Sequence, residues 1–230
     1  MVLLWVGILL WLQGSSKKLR WSALLGISYF LTFLLLRYPL SSEIVYFDIG
    51  QGDCTLIRER FSRRVILIDT GGKVHFAMPN WKKRPTKTSG ETIVANYLLS
   101  KGITQIDQLY LTHQDADHVG NFPSLSRSIK INQMTVPAGM EDLPSFKRRL
   151  AKSTVAPKAV KGVTDKVSLS DPHLKLLHPF TRGQGTNADS LVLWLDFYGL
   201  KCIFTGDLDR KGELKINKKY PDLTATVLKT

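Results

Sequence analysis

The 230-residue chain holds only two cysteines, Cys54 and Cys202, and no C-x-x-C pair. That excludes a cysteine-built zinc finger and a dithiol redox motif. Both thiols stand inside apolar strand-like runs and read as buried and free, with a disulfide open only if the domain lies outside the cytoplasm. Histidine is scarce too, at five in all. No phosphate-cradling P-loop and no Ser-His-Asp pattern stands out, so no small-molecule cofactor is expected. There is no internal repeat and no low-complexity tract. Acid is absent from residues 1–40, which carry four bases, so all carboxylate chemistry lies beyond Leu40.

What the chain has in excess is positive charge, a net +13. That balance favours anionic partners such as nucleic acid or phospholipid headgroups, and charge alone fits a plain solvated surface equally well. It also opens with two apolar runs, M-V-L-L-W-V-G-I-L-L-W-L and W-S-A-L-L-G-I-S-Y-F-L-T-F-L-L-L, separated by S-S-K-K-L-R. A signal peptide wants its bases before the apolar core rather than between two such runs. Residues 1–40 are therefore expected to form a membrane segment, with helices over about 1–13 and 19–38, although the first is short for a span. Basic residues in the connecting loop put that loop on the cytoplasmic side and everything after Leu40 outside.

From Ser41 the pattern changes to short strands with interleaved helices, which predicts an α+β sandwich over residues 41–230. E-I-V-Y-F-D-I and C-T-L-I-R flank a G-Q-G-D turn, and R-V-I-L-I-D-T-G-G is a third strand ending in glycines. A helix starting at a Thr88/Glu91 capping box stops at Gly102. D-Q-L-Y-L is the next strand. Later come a basic helix, S-F-K-R-R-L-A-K, and the strands L-K-L-L-H-P, S-L-V-L-W-L-D-F and L-K-C-I-F-T-G-D.

The chemistry concentrates in H-Q-D-A-D-H, residues 113–118, directly after a strand. Imidazole and carboxylate alternate there with no lysine between them. His113 and Asp115, two apart in a loop, can face one cation, while the adjacent Asp117 and His118 diverge toward a second, as in hydrolases that clamp a reacting oxygen between two ions. A strand's C-terminal end leading into a helix is also where α/β proteins place their sites. Asp69 and Asp207 end two further apolar strands, and three such strand ends imply one shared edge.

T-H-x-x-x-D-H, I-D-T-G-G and F-T-G-D, in that order, resemble the metallo-β-lactamase superfamily. With F-D-I-G-Q-G-D and N-A-D-S-L-V-L-W-L added, the chain resembles the C-terminal domain of the ComEC-type DNA-internalization competence proteins, over residues 43–230. The resemblance implies an αββα four-layer sandwich holding two divalent ions. His113 and Asp115 would bind the first, and Asp117 and His118 the second, these last two counted as the catalytic pair. Asp207 would bridge the ions and Asp69 would brace the loop. An oxygen ligand at Asp115 hardens the site and raises the standing of Mn²⁺ against Zn²⁺.

The chain departs from the superfamily pattern at two points. T-N-A-D-S, residues 186–190, stands where the superfamily supplies a histidine; His178 or, less so, His173 is the nearest substitute, although L-L-H-P reads as a strand end. T-A-T-V-L-K-T ends where a histidine-bearing loop is expected, so the domain reads as truncated at its C-terminus. Trp81, Lys82, Lys83 and Arg84 combine a ring with three bases and are candidate DNA contacts. The resemblance implies a nuclease that degrades the non-imported DNA strand, working beside the membrane channel of a longer protein. The rival readings are a degenerate DNA-guiding module and, more weakly, a small-ester hydrolase.

Overall fold

A computed structural model of the protein describes residues 6–7, 17–72 and 90–230. The chain divides into two compact units, residues 1–43 with 58–63, and residues 44–57 with 64–230. Residues 73–89, which hold Trp81, Lys82, Lys83, Arg84 and His75, lie outside the described residues, as does most of the helix expected over 1–13.

In the first unit, α1 (Lys17–Arg37) runs for 21 residues, close to the expected 19–38. Leucine, a strong helix former, supplies much of it, and Leu25, Tyr29 and Phe33 are exposed along its length. The carbonyl of Arg37 accepts from Arg58 Nη2 at 2.7 Å and from Ser62 Oγ at 2.9 Å. Arg58 is almost fully buried and also pairs with Glu43 at 3.4 Å. A buried cation thus sits on the negative end of the helix. Among the described residues, no helix is long and apolar enough to cross a membrane.

The second unit is built on two sheets. The first contains β1 (Glu43–Tyr46), β2 (Thr55–Arg58), β3 (Val65–Ile68), β4 (Gln105–Tyr110), β5 (Lys130–Pro137) and β6 (Val160–Val163), in that order. The pairs from β3 to β6 are parallel. The second sheet runs β10 (Val227–Lys229), β9 (Leu200–Phe204), β8 (Val192–Phe197), β7 (Leu174–His178). Its first pair is parallel and the others antiparallel.

Side-chain alternation sorts these strands into layers. In V-I-L-I of β3, Val65 and Leu67 join one core, and Ile66 and Ile68 another. The first core packs the sheet against helices: α2 (Asn96–Ser100), which continues a π-type turn over Gly90–Ala95, then α4 (Phe122–Ser128) and α5 (Pro144–Leu150), the last two in chain order after the short α3 (Ala116–Val119). Leu98, Phe122, Leu125 and Phe146 are their buried contributions. The second core joins the sheets, with Ile66 and Tyr110 from one and Leu193, Leu195 and Phe204 from the other. A third, smaller core seats α6 (Arg210–Lys219) on the outside of the second sheet through Ile216, with Leu177 and Val192 beneath. The order is helix, sheet, sheet, helix, as expected from the sequence.

Gly102, with φ 68°, ends α2 as its position predicts. Cys54 lies in the helix–sheet core and Cys202 between the sheets, both buried and unbridged.

Candidate metal centre

The register of two parallel strands assembles the site. Ile68 of β3 lies opposite Tyr110 of β4, so the residues that follow each strand meet at one edge. Asp69 donates its amide to the carbonyl of Tyr110 at 2.8 Å. Its carboxylate then accepts three hydrogen bonds: Oδ1 from the Thr112 amide at 2.8 Å, Oδ2 from the Thr112 hydroxyl at 2.7 Å, and Oδ2 from His118 Nδ1 at 2.9 Å. Asp69 is buried, and its three hydrogen bonds reach the metal loop from behind.

Once Nδ1 of His118 is held by Asp69, Nε2 is the ring atom left to face the site. His118 Nε2 lies 3.4 Å from Asp207 Oδ1, and His113 Nε2 lies 3.9 Å from Asp207 Oδ2. The two imidazole rings are 4.1 Å apart. His113 Nδ1 is engaged by the Thr112 hydroxyl at 3.0 Å. Its Nε2 is buried without a hydrogen-bond partner, a costly arrangement for a polar atom unless something is bound there. One donor atom each from His113, His118 and Asp207 falls within 4.8 Å of the others, and Asp115 Oδ2 is 3.7 Å from His113 Nε2. Two imidazoles and nearby carboxylates suit a divalent cation.

Asp207 arrives from the opposite sheet. It follows β9 through Gly206, where an added Cβ would come within 2.7 Å of Thr112 Cβ; the F-T-G-D turn can lie on the metal loop only with a residue this small.

The side chains group differently from the expected pairing of ligands. His118 shares a centre with His113 and Asp207, while the Asp117 carboxylate stands outside that trio and adds only its charge. Asp115 is exposed and, although it precedes α3, makes no capping bond, so its carboxylate faces outward beside His113. Asp48 accepts from the Gly50 amide at 3.2 Å, and Asp53 takes both its contacts, 2.7 and 2.8 Å, from Lys229 Nζ. Both therefore serve structure.

Neither substitute histidine joins the cluster. His178, buried at the end of β7, has Nδ1 on the Ser190 carbonyl at 2.7 Å, and His173 Nδ1 lies 3.0 Å from the Asp196 carbonyl. Residues 186–190 do lie beside the metal loop, since the Gln114 amide donates to Gly185 O and Leu191 donates to Thr112 O, both at 2.8 Å. Their turn, Asn187–Asp189, closes on itself through a Thr186/Asp189 capping box.

Two contributors had no role assigned from the sequence. Thr112 links Asp69 to His113 through one hydroxyl; the motif includes it, but only the fold shows its partners. Arg149 of α5 donates Nη1 to the Gln114 carbonyl at 3.2 Å, and Ser145 Oγ meets the Gln114 side chain at 3.2 Å. Nothing in F-K-R-R-L-A-K separates Arg149 from its neighbours.

The charges are uneven. Burial works against a charge on His118, yet the hydrogen bond and negative charge of Asp69, with Asp207 and Asp117 adding to them, push it up to about 9. Burial and then the neighbouring His118 hold His113 below the ordinary histidine value, with Asp69, Asp207 and Asp115 pulling the other way. A cation held on His118 Nε2 would have to displace the proton there.

Residues 47–228 match the family model described as the metallo-beta-lactamase superfamily. The chain is similar to ComE operon protein 3 of Bacillus subtilis (strain 168), 35% identical over 211 residues, covering 89% of this chain and 27% of that protein. It is also similar to Competence protein ComA of Neisseria gonorrhoeae, 28% identical over 180 residues, covering 78% and 22%. It spans about a quarter of the length of these two relatives. Among solved structures it is similar to MEM-A1, a subclass B3 metallo-beta-lactamase from a soil metagenome library, with TM-score 0.49, 13% identity and coverage of 83% and 77%. ST1585 of Sulfolobus tokodaii gives TM-score 0.48, 13% identity and coverage of 82% and 78%. The three strand-end motifs meet at one edge of this fold and the family model takes in most of the chain: it belongs to the metallo-beta-lactamase superfamily, and its curated relatives fit a ComEC-type domain.

Proposed function

We propose that this chain is the metal-dependent phosphodiesterase domain of a membrane protein of DNA uptake, which cuts the strand that is not imported. The observation that carries the reading is the buried, unpartnered His113 Nε2 aimed at a trio it forms with His118 and Asp207. The competence-related relatives and the net charge of +13 support DNA as the substrate. The competence-related relatives support a membrane tether, and the basic S-S-K-K-L-R stretch between the two apolar runs would put the domain on the outer face.

In this reading His113, His118 and Asp207 hold a divalent ion, with Asp115 beside them and Asp117 adding negative charge nearby. Such ions supply Lewis-acid activation of water and charge neutralisation at a phosphate, manganese being favoured over zinc by the carboxylates. The chain's own residues set the geometry. Asp69 fixes the His118 ring and its Nδ1 proton, Thr112 orients both Asp69 and His113, and Arg149 pins the Gln114 carbonyl between two ligands. Arg149 also brings positive charge beside Asp115, where burial lowers its proton affinity and Asp115 works to keep the charge.

The self-capped Asn187–Asp189 turn, which offers no histidine, favours a second reading: a DNA-guiding module without catalysis. Cleavage of a labelled oligonucleotide by the purified chain with Mn²⁺ separates the two. The account expects Mn²⁺-dependent cleavage that Asp207→Ala and Asp115→Ala reduce at least about a hundredfold. Equal cleavage by the variants contradicts the site, and bound DNA without cleavage supports the guide.

A further inference from the structure

The basic helix after F-T-G-D is not used by the metal centre. Gly212 and Ile216 turn α6 inward, onto β7 and the Asn187–Asp189 turn. The side next to that buried edge presents Lys211, Lys215 and Lys218, all exposed, at spacings of four and three that set them on one stripe, with the exposed Lys219 at its margin. Lys166 joins Lys215, Lys218 and Lys219 around a shallow recess that Phe180 and Asp165 also line. Lys219 Nζ stands 4.7 Å over the Phe180 ring, and Lys175 Nζ stands 4.6 Å over Tyr220.

Acid is nearly absent from this face. Asp165 is taken by Lys219, Asp209 caps α6 through the Gly212 amide at 2.7 Å, and Glu213 lies about 200° around the helix from Lys211. The stripe opens four residues after Asp207 and extends along a helix about 15 Å long. Lysines alternating with half-buried rings fit a flexible polyanion that also offers flat bases.

We infer that the lysine stripe of α6, with Phe180 and Tyr220, is a docking surface for single-stranded nucleic acid that leads a strand to the metal centre. This rests on the nucleic-acid reading of that centre, so the test measures binding with metal removed. In EDTA, fluorescence anisotropy of a labelled oligo-dT titrated with the full chain gives the affinity across a salt series.

Lys215→Gln/Lys218→Gln is expected to weaken binding about tenfold and to lower the slope of log affinity against log salt by about 1.4, from two lost phosphate contacts on a single strand. Phe180→Ala, its fold checked by circular dichroism, is expected to weaken binding about tenfold with the slope unchanged. Lys158→Gln/Lys161→Gln, exposed positions elsewhere, is expected to bind as the parent does. Unchanged affinity and slope in the α6 variant overturn the inference. So does loss of binding to phosphatidylserine vesicles with oligo-dT binding intact, which would make the face a headgroup surface. Binding that follows these expectations without any Mn²⁺-dependent cleavage leaves the docking surface standing and sinks the nuclease reading. Cleavage with no effect of the stripe does the reverse.

Discussion

Asp69 carries three hydrogen bonds on one buried carboxylate from a left-handed backbone conformation, φ 56°. A non-glycine residue held there is sparsely populated and costs on the order of 1–3 kcal/mol, so the surrounding contacts over-determine its position. Asp69→Asn keeps the shape but sets an amide N–H against His118 Nδ1. The tautomer that leaves Nε2 free is then lost, and divalent-metal affinity should fall roughly 10- to 100-fold. Competition against a chelator measures it, and an affinity within twofold of the parent contradicts the bracing role. The same pair sets a pH dependence. His118 is raised from an ordinary 6.5 to about 9, so its contribution to metal-free stability is complete below about pH 6.5 and is lost as pH rises through about 9. Melting in EDTA should therefore drop across that window by up to about 3 kcal/mol, and Asp69→Asn should flatten the drop. A profile that is flat in the parent would refute the coupling.

At the scale of elements, the F-D-I-G-Q-G-D turn supports the metal loop without contributing a ligand. Gly52 has φ +74°, and an added Cβ would fall 1.6 Å from the carbonyl oxygen of Asp117. Gly52→Ala is thus expected to push α3 off the site, costing about 2–4 kcal/mol in unfolding free energy and lowering metal affinity together. Denaturant melts and metal titration check both, and a variant as stable as the parent contradicts the packing. The turn itself was legible in the sequence, but what its glycines touch was not, because Gly52 and Asp117 meet only through the fold. Strands were legible for a local reason: V-I-L-I is apolar on both faces, as a strand between two cores must be. The partners of Arg149, Lys229 and the 186–190 turn were not, since each contact joins segments far apart in the chain. The grouping of His118 with His113 was not legible either. Adjacent residues diverge in an extended loop, but His118 sits in the short α3, which turns it toward His113.

At the scale of the whole molecule, two sheets meet so that a turn from each brings its aspartate to one edge, Asp69 from the first and Asp207 from the second. The central claim is that His113, His118 and Asp207 hold a divalent ion. Calorimetric titration of the metal-free chain with Mn²⁺ at pH 7.5 tests it most directly. The account predicts at least one ion per chain, with proton release from His118, and loss of that binding in both His113→Ala and Asp207→Ala. Undiminished binding in these variants, or none in the parent, would contradict it.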